Sequence, residues 1–373
     1  MEVIMKKFAG ALILLIVGAL FSCPKPTGST SPSKVWVVST IAGGGYAGAD
    51  HGGHVNGRGT DARFYYPTDV AVDAAGNVYV ADKFNHRIRK ISTDGVVSTI
   101  AGTGMSGGGR GGHGDGEAPS AQFKTPTGVA VDAAGNVYVA DSGNHRIRMI
   151  SNGQVSTIAG SGSITIGAHV DGLATTVARF NYPYDLALDA AGNIYVADYT
   201  SSRIRKIAPR AVGESDRKVS TITSGGEAVA FNTPTGVALD AEGNLYVAES
   251  NNEQIRKFTP EPEGVSILAG GLRGSDDGVG AAAKFFSPVG VAVDAEGNVY
   301  VGDSSNNLIR KITAAGRVST IAGGGSTASG FDNGPGRSAR FNSPNGVALD
   351  SEGNLYVADR SNHRIRKMEY KLP

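Results

Sequence analysis

The chain has 373 residues, and its 35 lysines and arginines nearly balance its 34 aspartates and glutamates. A formal net charge of +1 excludes a general attraction to polyanions, and a single cysteine excludes a disulfide within the chain. Glycine occurs 54 times, twice the ~7% of an average protein, without a collagen period, which indicates many turns.

The amino terminus is typical of a secretory signal peptide. Two lysines precede an apolar run over residues 8–21, which is short for a membrane-spanning helix. Residues 20–23 (LFSC) resemble a bacterial lipoprotein box, which implies that Cys23 is lipidated. An ordinary signal with a chance cysteine is the alternative, because Phe21 is bulky for its position. We predict a signal peptide over residues 1–22 and a flexible tether over 23–34.

The rest of the chain consists of six copies of one repeat. Successive copies begin 51 to 59 residues apart. Their first residues are Pro67, Pro126, Pro183, Pro234, Pro288 and Pro344. A repeat of this length predicts an array of similar units rather than separate domains.

Each repeat predicts four short strands and no helix. In the second copy, GVAV and NVYVA are β-branched and aromatic runs, and the intervening residues 132–136 (DAAGN) favour a hairpin turn with Asp first and Gly fourth. Residues 146–150 and 155–159 supply the third and fourth strands. Four consecutive strands indicate a small antiparallel sheet.

Six such sheets predict an all-β fold, a six-bladed β-propeller over residues 35–373. The last repeat ends without its fourth strand, whereas an isolated copy of that strand, VSTIAG, occurs at residues 38–43. We expect this amino-terminal strand to complete the last blade, because ring closure removes the exposed sheet edges.

The second turn and the third strand have the sequences DKFNHRIRKI, DSGNHRIRMI and DRSNHRIRKM in copies one, two and six. These resemble the NHL repeat family, and the similarity covers residues 35–373. The third to fifth copies depart from the Asn-His pair. The resemblance implies a propeller, but the family includes peptide-amidating lyases, RNA-binding regulators and extracellular sensor domains, so it does not define one function.

The loops between blades are long and glycine-rich, and we expect them to line one face. Five carry an acidic or amide residue followed by Gly, Ala and Phe, and we expect each Phe to pack between blades. The loop over residues 223–231 lacks this unit and is much shorter. Its shortness predicts a gap on that face. We expect the long-loop face to bind a protein, peptide or glycan.

The second residue after the repeat proline is Gly in four copies but Asp69 and Asp185 in the other two. Tyr184 and Asn345 occupy the preceding position in their copies. These positions open the innermost strand, so the four residues form a candidate ligand-binding site at the channel mouth. Their oxygen atoms suit a divalent cation or a polar ligand, although an Asp that only caps a turn is the alternative.

Three histidines, His54, His113 and His169, lie three residues before a loop glycine. Three histidines are able to form a zinc site. Convergence from three blades requires long loops to meet, so exposed loop histidines are the alternative. The family's amidating lyases use histidine-bound zinc, but their catalytic set does not map onto this chain.

Basic residues recur along every third strand, for example Arg146 and Arg148. Their even distribution, the balanced charge and the export signal predict no nucleic-acid partner. We expect their stems to cover apolar blade surface while the charges stay hydrated.

Two hypotheses follow. The first is a lipid-anchored protein of the bacterial cell envelope that binds a protein, peptide or glycan through the long-loop face. The alternative is a metal-dependent enzyme, lyase- or lactonase-like, with its site at the channel mouth near Asp69 and Asp185. A divalent cation is the one candidate cofactor, and no catalytic residue is assigned.

Overall fold

Six antiparallel sheets form the blades of the propeller in a computed structural model that describes residues 33–44, 53–104, 111–162, 169–260, 262–324 and 329–372. The strands of the first three blades are Pro67–Val72, Val78–Asp82, Arg87–Ile91 and Val96–Ala101; Gly128–Val131, Val137–Asp141, Arg146–Ser151 and Gln154–Ala159; and Pro183–Leu188, Ile194–Asp198, Arg203–Ile207 and Lys218–Thr221. The strands of the last three are Pro234–Leu239, Leu245–Glu249, Gln254–Pro260 and Glu263–Gly270; Pro288–Val293, Val299–Asp303, Leu308–Ile312 and Arg317–Ala322; and Pro344–Leu349, Leu355–Asp359, Arg364–Lys371 and Val35–Ala42. The predicted fold is confirmed.

The amino-terminal strand closes the ring, as predicted. Val35–Ala42 pairs antiparallel with Arg364–Lys371, and Val38 lies opposite Met368. The strand is therefore the fourth strand of blade six. The first and last long strands of the propeller pair in one sheet. The chain therefore leads from blade six to blade one at one end and from blade five to blade six at the other.

Five of the six blades carry a short fifth strand that the sequence did not predict. Each is two residues long and pairs with the outer edge of the fourth strand. These outer strands are Gly57–Arg58, Gly116–Glu117, Gly172–Leu173, Gly278–Val279 and Gly334–Pro335. Blade four has none; the loop before it instead forms a separate two-stranded hairpin, Thr223–Ser224 with Glu227–Ala228.

Tight turns and single helical turns connect the strands. In the first hairpin of blade two, the Gly135 amide donates to the Asp132 carbonyl, and the Asp132 side chain accepts from the Asn136 amide. Gly135 has a φ of 83°, which a glycine adopts without strain. Seven 3₁₀ turns occur in the described residues: Gly59–Asp61, Lys83–Asn85, Ser142–Asn144, Ser250–Asn252, Gly280–Ala282, Ser304–Asn306 and Arg360–Asn362. The same residues include no α-helix long and apolar enough to cross a bilayer.

The core lies between adjacent blades. The loop phenylalanines are buried there, which confirms the predicted packing role of Phe64, Phe123, Phe180, Phe285 and Phe341; Phe231 of the short loop is buried as well. A core cluster joins Phe123 and Ala121 to the second and third strands of the preceding blade through Ala81 and Ile88. Each loop therefore fastens its own blade to the blade before it.

The expectation that all third-strand charges stay hydrated is wrong for one arginine in each of five blades. Arg89, Arg148, Arg205, Arg310 and Arg366 are fully buried. In blade two, Arg148 Nη1 lies 2.8 Å from Asp141 Oδ2 and donates to the Gln122 carbonyl, and its guanidinium lies over the Phe123 ring. Burial of Arg148 is tolerated because the charge is paired and all three guanidinium nitrogens donate hydrogen bonds. The lysines stay partly exposed, as expected, and the Nζ atoms of Lys90 and Lys206 lie over tyrosine rings.

Candidate binding site at the channel mouth

The second residue after each repeat proline lies where the first strands of neighbouring blades meet around the central channel. Neighbouring blades approach closely here, and a methyl group on Gly290 would lie 2.6 Å from the Cα of Gly346. A methyl group on Gly346 would lie 2.6 Å from the Cα of Asp69. Glycine is thus required where two backbones meet, and the two aspartates occupy the remaining space in the ring.

Asp69 and Asp185 bridge blades by accepting backbone hydrogen bonds. Asp69 Oδ2 accepts from the Val129 amide of blade two at 2.8 Å. Asp185 Oδ2 accepts from the Val237 amide of blade four at 3.0 Å, and its Oδ1 accepts from Leu186 at 2.7 Å. Each aspartate therefore connects its own blade to the next one.

The two carboxyl groups also contact each other through a hydrogen bond. Burial, and next the charge of Asp185, raises the pKa of Asp69 well above its usual value. Burial raises the pKa of Asp185 to about 7. Two like charges in contact are unfavourable when buried, so a proton shared between the two carboxyl groups stabilises the pair.

Tyr184 and Asn345 complete the predicted set, because they line the same cavity as the two aspartates. The Asn345 side chain hydrogen-bonds Tyr184, and burial raises the pKa of the Tyr184 hydroxyl. Asn345 is 3% exposed, yet its Oδ1 atom has no hydrogen-bond partner. A buried unpaired acceptor indicates that a donor from water or a ligand occupies this place.

The cavity itself is small. Its volume is about 10 Å³, which is room for about one water molecule. Pockets that enclose a drug-sized ligand measure roughly 300–1,000 Å³. The cavity therefore receives only the tip of a larger ligand, and the bulk of that ligand would lie on the face above.

Aromatic and cationic side chains that sequence reasoning missed surround the mouth. Lys83 Nζ lies 5.9 Å from the centre of the Tyr184 ring and 5.5 Å from that of Phe84. Arg360 lies 5.2 Å above the Tyr66 ring, and its Nε atom is buried without a partner. Burial, and next Arg360, lowers the pKa of Lys83 to about 8. The residue that follows the second strand is serine in blades two, four and five but Lys83, Tyr199 and Arg360 in blades one, three and six, and that departure is the signal that marks these positions.

We call this set the mouth platform: Tyr66, Lys83, Phe84, Tyr184, Tyr199 and Arg360. All six belong to blades one, three and six, and each lies against at least one other member of the set. Tyr199 lies 5.8 Å from Tyr184, ring centre to ring centre. Flat aromatic rings offer stacking surfaces, and the two cations offer donors for oxygen atoms. The arrangement suits a ligand with both apolar faces and polar oxygens.

The repeat histidines have a structural role. His145 Nδ1 accepts the backbone amide of Tyr182 at 3.0 Å, which joins blade two to blade three. His86 and His363 accept the amides of Thr125 and Tyr66 in the same way. Burial, and next Lys124, lowers the pKa of His145, so the ring is neutral and able to accept. The histidine of the repeat is thus a clasp between blades.

The loop histidines do not form a cluster. His54 lies near Arg87 and Arg89, whereas His169 lies near Arg203 and Arg205, two blades away; burial lowers the pKa of both. His113 is exposed. Within the ranges that the structure describes, no three His, Cys, Asp or Glu side chains group in a way that would hold a metal ion. Cys23 lies outside the described residues.

The NHL repeat family model matches residues 64–91, 285–312 and 341–368, and the teneurin NHL domain model matches residues 106–271. The chloroplastic protein SUPPRESSOR OF QUENCHING 1 of Arabidopsis thaliana is 31% identical over 325 residues, which cover 82% of this chain and 30% of the plant protein. The chain therefore spans less than a third of that relative.

Solved structures show the same fold. An auxiliary nutrient binding protein from Bacteroides thetaiotaomicron superposes with a TM-score of 0.67 at 19% identity, over 91% of this chain and 77% of that one. A gluconolactonase from Xanthomonas campestris superposes with a TM-score of 0.52 at 16% identity, over 83% of this chain and 87% of that one. At these identities the likeness extends to the fold alone.

Proposed function

Because the chain belongs to the NHL-repeat β-propeller proteins, we propose that it uses this scaffold for binding. The proposed activity is capture of a glycan, peptide or protein on the long-loop face, with the channel mouth at its centre. The protein would be exported and held at the bacterial cell envelope by a lipid on Cys23.

The unpartnered Asn345 Oδ1 carries this proposal. It lies buried in the channel cavity, where a hydroxyl or amide donor from a ligand would satisfy it. The mouth platform above it provides aromatic surface and two cations. Glycans combine hydroxyl donors with apolar sugar faces, and peptides combine amide donors with side chains, so both classes fit. The fold shared with a nutrient binding protein also supports the proposal of a binding function.

The geometry favours binding over the metal-dependent alternative. A hard cation requires ionised carboxylates with free oxygen lone pairs. Asp69 and Asp185 instead accept backbone amides, contact each other, and have raised pKa values. Their arrangement is that of a structural tie between blades.

A titration with defined ligands tests the binding proposal. We expect an oligosaccharide or peptide from a calorimetric panel to bind, and Lys83→Met or Arg360→Met to weaken it about tenfold, the usual effect of losing a charged hydrogen bond. Lys90→Met is the matched control, because Lys90 lies 5.4 Å from the Tyr79 ring, a similar pair outside the mouth. Equal affinity of the mouth variants and the control would contradict the proposal.

The anchor is tested separately. Cells that produce the full chain would be labelled with an alkyne analogue of a fatty acid. We expect label on the wild-type protein and none on Cys23→Ala. Label that persists on Cys23→Ala would contradict the lipid anchor and leave the binding proposal intact.

A further inference from the structure

The outer edge of blade four is open, whereas the same edge is covered in the other five blades. Its fourth strand, Glu263–Gly270, pairs with Gln254–Pro260 on one side only. Val265 is partly exposed there, while its equivalent in blade two, Val155, is 2% exposed. The hydrogen-bonding edge of this strand has no strand partner among the described residues.

The covering segment of the other blades follows one pattern, which blade two illustrates. Asp115 accepts the Thr157 amide of the fourth strand at 3.0 Å and forms an ion pair with Arg148 Nη2. The next residue, Gly116, pairs with Val155 as a fifth strand. We call this covering unit the strap; Asn56, Asp171, Asp277 and Asn333 hold the same position in the remaining straps.

Blade four keeps the receiving groups and lacks the strap. Arg256 lies over the Phe231 ring, as its equivalents lie over theirs, and its Nη1 donates to the Ala230 carbonyl at 2.8 Å. In the described part of the chain, its Nη2 has no carboxylate or amide partner. Its side chain is 19% exposed, whereas that of Arg148 is 0% exposed.

The fourth strand of blade four also differs in composition. Ile267 replaces the threonine that faces the strap in the other blades, and it is 56% exposed. Its backbone amide takes the position of the Thr157 amide, because both residues pair with the strand arginine. An exposed apolar residue on an unpaired strand edge favours addition of another strand.

We propose that this edge binds an extended peptide segment of a partner protein, with an acidic residue followed by glycine. The peptide carboxylate would accept from Arg256 Nη2 and from the Ile267 amide. The glycine would pair antiparallel with Val265, as Gly116 pairs with Val155. Recognition is strand addition, in which backbone hydrogen bonds give affinity and the acidic residue gives specificity. The site lies on the rim and is independent of the channel mouth.

A fluorescent peptide that copies residues 112–121, the strap of blade two, is the test. We expect saturable binding to the full chain at a ratio of one to one in an anisotropy titration. An Asp→Ala change at the peptide position that copies Asp115 should weaken binding about tenfold, since it removes a charge-assisted hydrogen bond.

Two protein variants test the receiving groups. Arg256→Gln and Ile267→Pro should each weaken binding about tenfold. The Ile267 amide points away from the sheet, so proline is tolerated at this edge, and a thermal melt verifies the fold. Lys257→Gln, on the opposite face of the same strand, should leave binding unchanged.

The proposal is overturned if the peptide shows no saturable binding, or if binding is indifferent to Arg256 and Ile267. It is also overturned if sedimentation shows a dimer that Ile267→Pro dissociates, because a second copy of the chain then occupies the edge.

Discussion

Asp69 of blade one and Asp185 of blade three share a hydrogen bond inside the channel, and each also accepts an amide from the following blade. They occupy the ring where the other blades have glycine. The pair thus connects four blades around the axis, and its protonation state affects the stability of the whole ring.

Asp69→Asn should make the free energy of unfolding less dependent on pH. A carboxyl with a raised pKa in the folded state stabilises fully below its unfolded pKa, and this contribution is lost as pH rises through the folded value, about 7 for Asp185. The amide removes one charge and keeps an oxygen for Val129. We expect a gain of about 1–3 kcal/mol over wild type at pH 8.5 and little gain at pH 5.

Urea unfolding at both pH values measures this difference. Asp61→Asn, at an exposed position, is the control, and its free energy of unfolding should depend on pH as that of wild type does. A constant difference between Asp69→Asn and wild type across the pH range would refute the shared proton.

Arg148→Met should cost about 3–5 kcal/mol, because it leaves Asp141 buried without its charge partner. The matched change Arg256→Met in blade four should cost less, about 1.5–3 kcal/mol, since Arg256 is partly exposed and its contact with the buried Glu249 is longer, 3.5 Å. Denaturant melts compare the two. Equal losses of unfolding free energy in the two variants would contradict a special contribution of the Arg148–Asp141 ion pair to stability.

The clasp between blades two and three depends on an acceptor at position 145. His145→Ala should cost about 1–2 kcal/mol by leaving the Tyr182 amide unpaired. His145→Asn should recover most of that loss, because Asn307 accepts the Ser343 amide from the same left-handed position in blade five. Failure of asparagine to rescue would assign the effect to ring packing instead.

The same clasp predicts loss of stability in mild acid. Burial lowers the pKa of His145, so its contribution is present above the unfolded value of about 6.5 and lost as pH falls through the folded value. The stability difference between wild type and His145→Asn should therefore narrow or reverse between pH 7 and pH 5. An unchanged difference over that range would contradict a neutral acceptor.

Removal of residues 35–43 should abolish cooperative unfolding, because blade six then loses its fourth strand and the ring opens. Removal of residues 24–32, the predicted tether, is the control and should leave the melting temperature within about 1 °C of wild type. Calorimetry distinguishes the two deletions. A cooperative melt without residues 35–43 would show that the ring does not depend on this closure.

Several features could be predicted from sequence because they repeat. Six copies, alternating apolar residues and Asp-x-x-Gly turns specify four-stranded blades, and the unpaired strand at residues 38–43 specifies the closure. The four candidate residues of the channel were found because Asp69 and Asp185 break a glycine pattern. Their convergence follows from the ring, since equivalent positions of a closed propeller face one axis.

Other features required the tertiary structure. The third-strand arginines look like surface residues in sequence, but the loop of the same repeat folds over each of them and supplies the carbonyl and carboxylate partners that permit burial. In the sequence, Lys83 and Arg360 look like ordinary turn residues. Only the folded ring brings them beside Tyr184 and Tyr66 of other blades. The sequence by itself determined the repeated scaffold, because local strand and turn preferences act within each copy. Only the tertiary structure decided which charges are buried and which edge stays open, because those depend on contacts between segments far apart in the chain.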